Sequence, residues 1–347
     1  MGVPDYLLEI TFRQVTSEIP PGYRAGMSAA HEHPHVSGPS YDAQEGLGSL
    51  DASDPPDGVE LLVLGRGQDG GLPQLGCRKP CCLDARSQDR RELPASLGLV
   101  DHDRRSLYLV EATPAIEEQV SLLQGALLGR APDAPMLDGL VLTHAHIGHY
   151  LGLAQLGREV AATDRLPLHV SPRVGAFLKE NQPWAQLLAL NQVTLEPFHP
   201  GRSFTLTSKV CIEPIPVPHR DEFFDTMAFK FRGPRASALF LPDIDRWDDP
   251  ALSEGFLEEL LDDVEVAYLD GTFYDGRELP GRDLSVIPHP LVVDSMQRLA
   301  PIAHARPGVI RFIHLNHTNP LLHDAGLVAQ LEVRGFGVAK MGERVKL

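Results

Sequence analysis

The sequence predicts an α/β protein in which two mixed β-sheets lie between outer layers of helices. Three observations lead there. Short apolar runs of strand length alternate with stretches of helical periodicity from about residue 58 onward. Some neighbouring runs are close enough to pair antiparallel, whereas others are separated by a helix and need crossovers, so the sheets are mixed. Five of the apolar runs end in His or Asp, at the place where sites gather on layered α/β folds.

Residues 1–57 stand apart from that pattern. They are rich in Pro, Gly, Ser, Asp and His and read as an N-terminal extension, flexible in whole or part. His31, His33 and His35 within it read as a solvated loop. The main domain then covers 58–347. Its first strand is Val59 to Gly65, followed by the glycine-rich loop Gly65 to Pro73. That loop superficially resembles a phosphate loop but lacks the Gly-Lys-Ser/Thr ending and a following helix. Its glycines more plainly serve tight turns and close backbone approach. A cysteine cluster over Cys77, Cys81 and Cys82 comes next. Strands follow at Ser96 to Val100 and Leu107 to Glu111. Ala115 to Leu128 reads as a helix with Ile116, Val120, Leu123 and Leu127 on one face. After a strand at Leu140 to Leu142, helices are expected over 151–160 and Val174 to Glu180, with a strand at Leu168 to Val170 between them.

The second half repeats the alternation, although no sequence repeat is visible. Strands are expected at Val193 to Leu195, Phe204 to Thr207 and Val210 to Val217. A hairpin is expected from Thr226 to Phe231 and Ala238 to Leu241. A short helix at Leu257 to Leu261, a strand at Val266 to Leu269 and a helix over 292–299 follow. A strand at Val309 to His314 and a helix over 322–334 complete the series.

Composition narrows the function. The chain has 347 residues, 43% of them hydrophobic, and a formal net charge of −16. That charge argues against a nucleic-acid partner, which needs a basic face. No apolar run approaches the ~20 residues of a membrane span, and the N-terminus lacks the basic and apolar regions of a signal peptide. Three of the four cysteines fall within residues 77–82. In a cytoplasmic protein, the expectation here, such a cluster points to metal and not to disulfides. A homodimer is compatible with the sequence.

The stretch richest in chemistry is Thr143-His144-Ala145-His146-Ile147-Gly148-His149-Tyr150. Three imidazoles where a strand hands over to a helix are costly to bury unsatisfied. A shared metal would satisfy them, since neutral imidazole is a common ligand for zinc and iron. Other strand ends carry His219, the Asp243-Ile244-Asp245 segment, Asp270 and His314.

The order His-x-His-x-x-His, an isolated His, an Asp after a strand and a final His resembles the metallo-β-lactamase superfamily over roughly residues 58–335. The usual motif there is His-x-His-x-Asp-His, and Gly148 stands at the aspartate position. The segments Gly-Gln-Asp-Gly-Gly-Leu-Pro-Gln, Thr-His-Ala-His-Ile-Gly-His-Tyr and Ile-His-Leu-Asn-His-Thr-Asn-Pro most resemble the pyrroloquinoline quinone biosynthesis protein B group, which shares that glycine. The resemblance implies a four-layer αβ/βα sandwich with metal at the sheet edges. It implies His144, His146 and His219 as ligands of one metal and His149 and His314 as ligands of a second. Asp243 would bridge them, with Asp245 as its rival. Losing the aspartate should weaken the second site, alter its metal or leave it empty.

Asp270-Gly271-Thr272-Phe273 and His289 resemble a pair in phosphodiesterase members, where an acidic residue supports a histidine that protonates the leaving oxygen. A carboxylate-oriented histidine is a sensible general acid. For Cys77, Cys81 and Cys82, the resemblance implies His317 as the fourth ligand of a structural zinc. The expected activity is thus metal-dependent hydrolysis of a small phosphodiester or other ester. It would use a metal-bound hydroxide, His289 with Asp270 as proton donor, and one or two Zn²⁺, Fe²⁺ or Mn²⁺ ions. Two alternatives remain: a non-haem iron oxygenase or hydroxylase on a peptide or small metabolite, and a non-catalytic metal-binding accessory protein.

Overall fold

The computed structural model describes residues 57–127, 129–283 and 287–347. The extension, with His31, His33 and His35, therefore lies outside the described residues apart from Asp57. Two seven-stranded sheets stack face to face, with helices on both outer sides.

The first sheet is built from β1 (Val59–Gly65), β2 (Ser96–Asp101), β3 (Ser106–Val110), β4 (Gly139–Val141), β5 (Leu166–Val170) and β6 (Val193–Pro197), side by side in that order. Helices α1 (Pro80–Ser87), α2 (Ile116–Gly125), α3 (Ile147–Tyr150), α4 (Pro172–Glu180) and α5 (Trp184–Ala189) fall between them in the chain. The second sheet takes β7 (Phe204–Thr205), β8 (Cys211–Val217), β9 (Thr226–Arg232), β10 (Ser237–Leu241), β11 (Val266–Asp270), β12 (Ile310–Ile313) and β13 (Phe336–Val338), again side by side in chain order. Its helices are α6 (Phe256–Leu261), α7 (Val292–Arg298), α8 (Ala300–Ala305) and α9 (Ala325–Val333). A final strand, β14 (Arg344–Lys346), crosses back to pair antiparallel with β1.

Alternation along the strands divides the core. Leu61 and Val63 face the second sheet and share a buried layer with Phe229, Phe231, Phe240 and Tyr268. Leu62 and Leu64 point the other way, into a cluster with Val120 and Leu123 of α2 and Val174 and Leu178 of α4. On the far side of the second sheet, Leu239, Leu241, Leu269 and Phe312 pack with Leu260, Met296 and Leu331 of the covering helices. Both faces of β1 are covered, so it is buried at every residue and is apolar apart from Glu60, whose carboxylate is paired with His102 at 2.9 Å and with Arg344.

Strand direction explains the site. β1, β3 and β4 run the same way, because β1 and β3 both lie antiparallel to β2 while β4 is parallel to β3. β8, β10, β11 and β12 likewise share a direction. Their C-terminal ends carry most of the polar residues singled out in the sequence.

Three expectations change. A helix does follow the glycine-rich loop: part of the cysteine segment forms α1, with Pro80 pre-set for the first helical turn. The expected helix over 151–160 is a 3₁₀ turn, Leu151–Leu156, after the short α3. There the Gly152 N–H donates to the Ala112 carbonyl at 2.8 Å, and a Cβ on Gly152 would lie 2.2 Å from the Thr113 carbonyl oxygen. That backbone approach breaks the helical ladder. The expected helix over 322–334 begins only at Ala325, because the Asp324 side chain caps it by accepting from the Leu327 N–H.

Candidate metal centre

The loop after β4 delivers two imidazoles and the loop after β8 a third. His144 Nε2 lies 2.9 Å from His146 Nδ1, which lies 3.2 Å from His219 Nε2. One proton cannot satisfy three converging nitrogens, whereas ligands ~2.1 Å from a common ion stand about this far apart. Burial lowers His144 well below its ordinary pKa, and burial with the neighbouring His219 lowers His146 to about 4. Both rings are therefore neutral at pH 7, the form that binds metal.

A second group lies beside the first. His149 Nε2 is 3.2 Å from Asp243 Oδ2, and His219 Nε2 is 3.7 Å from Asp243 Oδ1. Asp243 thus reaches both groups. His149 Nε2 and His314 Nε2 each lie 3.6 Å from Asp69 Oδ1. Among the described residues, Asp243 Oδ2 and His314 Nε2 are buried without a hydrogen-bond partner. Such orphaned atoms are costly unless something else binds them. Burial alone would lower His149, but the Asp243 and Glu111 carboxylates outweigh it and raise its pKa to about 9. Burial likewise opposes ionisation of Asp243, yet His314 and His149 hold it well below the usual carboxylate range. The group is short of positive charge, and a divalent ion fits it.

Behind these rings stands a set of oxygens. His219 Nδ1–H donates to Asp245 Oδ1 at 3.0 Å. Asp245 therefore orients the His219 ring from behind, while Asp243 occupies the position between the groups. His144 Nδ1 meets Thr143 Oγ1 at 2.8 Å, and His314 Nδ1 meets Thr272 Oγ1 at 2.9 Å. His149 Nδ1 faces Glu111 Oε2 at 3.8 Å. Each of these four rings is turned so that Nε2 points to the centre. Glu111, at the end of β3, was legible only as the last residue of a strand.

Asp270 and His289 come together as well. His289 Nδ1–H donates to Asp270 Oδ2 at 2.8 Å, and Asp270 Oδ1 accepts from the Thr272 N–H and hydroxyl. His289 Nδ1 is 3.9 Å from Asp243, so that nitrogen is committed to Asp270. Burial lowers the pKa of His289, but the Asp270 charge outweighs it and the net shift is upward. The ring lines a cavity of about 850 Å³ with Arg246, Trp247, Asp248, Asp294 and Arg298.

Cys77, Cys82 and His317 form a separate group, with ligand atoms within 4.8 Å of one another. Cys81 is not among them. Successive helical residues point about 100° apart, so Cys81 leaves α1 in a different direction from Cys82, while Cys77, Cys81 and Cys82 all pack in or against the same core cluster. Asn316 Oδ1 accepts from His317 Nδ1 at 2.8 Å, and His317 Nε2 is buried without a hydrogen-bond partner. That tautomer leaves a lone pair for an ion. Backbone N–H groups of Lys79 and Gln74 point at the sulfurs of Cys77 and Cys82. Cys211 lies in β8, far along the chain from this cluster.

The model of the beta-lactamase superfamily domain matches residues 107–315. The chain belongs to that superfamily. Curated relatives of this superfamily member include the coenzyme PQQ synthesis proteins B of Rhizobium meliloti and Ruegeria pomeroyi. They are 25% and 27% identical to it, each over 83% of this chain and over 98% and 100% of the relative. Among solved structures, Zn²⁺-bound PqqB from Methylobacterium extorquens superposes with a TM-score of 0.69 at 21% identity, covering 83% of this chain and 100% of that one. A diphosphatase of the PhnP family gives 0.60 at 23% identity, covering 83% and 96%. Unliganded yeast PDE1 gives 0.56 at 14% identity, covering 84% and 100%. These superfamily neighbours share the fold of two mixed sheets flanked by helices.

Proposed function

We propose that this protein is a metal-dependent hydrolase of a small phosphodiester or related ester. The observation that carries the reading is His289, held by the buried Asp270 at 2.8 Å, on the wall of a cavity that reaches the histidine–carboxylate cluster through Asp245 and His289. A carrier or accessory protein needs ligands but has no use for an oriented acid beside them. His144, His146 and His219 would hold one ion, and His149 and His314 a second, with Asp243 between the two. Cys77, Cys82 and His317 would hold a structural zinc.

Held by these residues, a divalent ion would supply Lewis acidity that lowers the pKa of a coordinated water to about 7 and polarises an ester oxygen. The protein's own residues do the rest. Thr143, Glu111, Asp245 and Thr272 fix the ligand rings. His289, with Nδ1 held by Asp270, presents Nε2 to donate a proton to the leaving oxygen. Arg246 and Arg298 in the same cavity suit an anionic substrate, and the nearby aspartates suit its hydroxyl or amino groups.

His289→Asn is expected to lower kcat by about 10²- to 10⁴-fold, the usual contribution of a general acid, with metal content unchanged. Because the folded pKa of His289 is raised, its acid form is present at low pH and lost as pH rises. Wild-type kcat should therefore fall on the alkaline side, and that limb should vanish in the variant. Equal kcat for the two proteins on every phosphodiester tested would remove His289 from the mechanism. Asp245→Ala should weaken metal binding at the first site by about 10- to 100-fold, as loss of a ligand's hydrogen-bond partner usually does. Titration with a chromophoric chelator checks this.

The names of the curated relatives favour a second reading, in which the same centre serves a step in coenzyme PQQ synthesis. Oxygen uptake by the Fe²⁺-loaded protein, without turnover of a phosphodiester panel by the Zn²⁺- or Mn²⁺-loaded form, would move the assignment to that oxidative chemistry.

A further inference from the structure

The family motif places an aspartate where this chain has Gly148, and its loss should cost the second site a carboxylate. The structure contains one at that place. A Cβ built on Gly148 would lie 1.9 Å from Asp69 Oδ1, 2.5 Å from Asp69 Cγ and 2.7 Å from Asp69 Cα. The Asp69 side chain thus occupies the space a residue at 148 would need. Its Oδ1 is equidistant from His149 Nε2 and His314 Nε2, at 3.6 Å. That is too long for a hydrogen bond and suited to ligands around one ion. The three form a group able to hold a metal.

The loop that carries Asp69 is held in place by backbone contacts beside His314. The Gln68 N–H donates to the Leu315 carbonyl at 2.8 Å, and the Leu315 N–H donates to the Arg66 carbonyl at 2.8 Å. The loop turns on Gly71, whose φ is +62° and where a Cβ would meet the Glu92 carbonyl oxygen at 2.4 Å. A carboxylate on so fixed a loop, fitted against a residue without a side chain, differs from an ordinary surface aspartate. His314, whose own φ is +63°, adopts a left-handed conformation that a non-glycine residue keeps only when its surroundings impose it.

We infer that Asp69 is the carboxylate ligand of the second metal, transferred from the histidine motif to the loop after β1, and that Gly148 is the space left for it. The inference rests on the two-metal reading of the centre. The glycine at 148 then marks a relocated ligand and not a degraded site.

The test is metal binding by the full chain, independent of turnover. Zn²⁺ stoichiometry and affinity are measured by chelator competition for wild type, His149→Ala, Asp69→Asn and Asp69→Glu. The expected result is that His149→Ala loses one ion relative to wild type. Asp69→Asn should weaken the same ion by at least about 100-fold, more than loss of an outer-shell partner does, with Tm unchanged. Asp69→Glu, which keeps the carboxylate, should bind it better than Asp69→Asn. Gly148→Ala should also weaken it, by displacing the Asp69 loop. Wild-type affinity in Asp69→Asn, alongside loss of an ion in His149→Ala, would overturn the role of Asp69 and leave the two-metal centre standing. A wild-type chain whose ion count is unaffected by His149→Ala would overturn both.

Discussion

Replacing His146 with alanine is expected to remove the ion of the first group and to lower hydrolysis at least about 10³-fold, while the protein stays folded. His146 Nδ1 is the nitrogen shared by the other two imidazoles, at 2.9 and 3.2 Å. Without it the first ion would lose one of its three imidazoles and rest on His144, His219 and the shared Asp243 carboxylate. The fold should be indifferent. His146 is only half-buried and makes no side-chain cap for α3. Its ring contacts are His144, His219 and Phe224, and none of the core strands depends on it. Metal analysis, circular dichroism and a thermal melt on one preparation check the three parts. A variant that unfolds, or that keeps both its metal and its turnover, would be inconsistent with a role at the centre.

The second large effect lies at the cysteine group and is on stability. Cys77→Ala is expected to release one tightly held zinc and to lower Tm by roughly 10 °C, which corresponds to a loss of about 3–5 kcal/mol for a domain of this size. Cys82 and Ala85 of α1 are part of the buried cluster that also contains Leu241, Leu269 and Leu315. Releasing the ion would leave the Cys82 thiol and the buried His317 Nε2 without a metal partner and unpin α1 from the end of β12. Catalytic metals should be retained, at reduced affinity. Cys81→Ala provides the contrast, since Cys81 is not among the grouped ligand atoms. It should keep the zinc and most of the stability. Unchanged zinc and melting in Cys77→Ala would rule out the structural site.

What the sequence could disclose followed from local pattern. An apolar run ending in His or Asp is visible to any reader of the chain, and so His144, His219, Asp243, Asp270 and His314 could be placed at one edge of a layered fold. The choice between Asp243 and Asp245 could not be made locally. It depends on which carboxylate faces His149 and which lies behind His219, and both partners come from distant loops. Glu111 and Asp69 were hidden for opposite reasons. Glu111 ends a strand whose other residues explain it as core, and Asp69 sits among glycines whose turns explain it as loop. Helix α1 was missed because Pro80-Cys81-Cys82 carries no amphipathic stripe. Nor does the sequence betray that both sheets lay their strands down in the same sequential order, since that regularity resides in hydrogen-bond pairing and not in residue identity.

His314 and His317 are separated by a single turn after β12, yet they belong to different groups. On a ribosome the first group has all its histidines once residue 219 has been made. The second group and the cysteine group both wait for the same four residues near the end of the chain. A chain ended before residue 314 would lack a histidine of the second group and the histidine of the cysteine group at once, so both groups depend on the same short segment after β12.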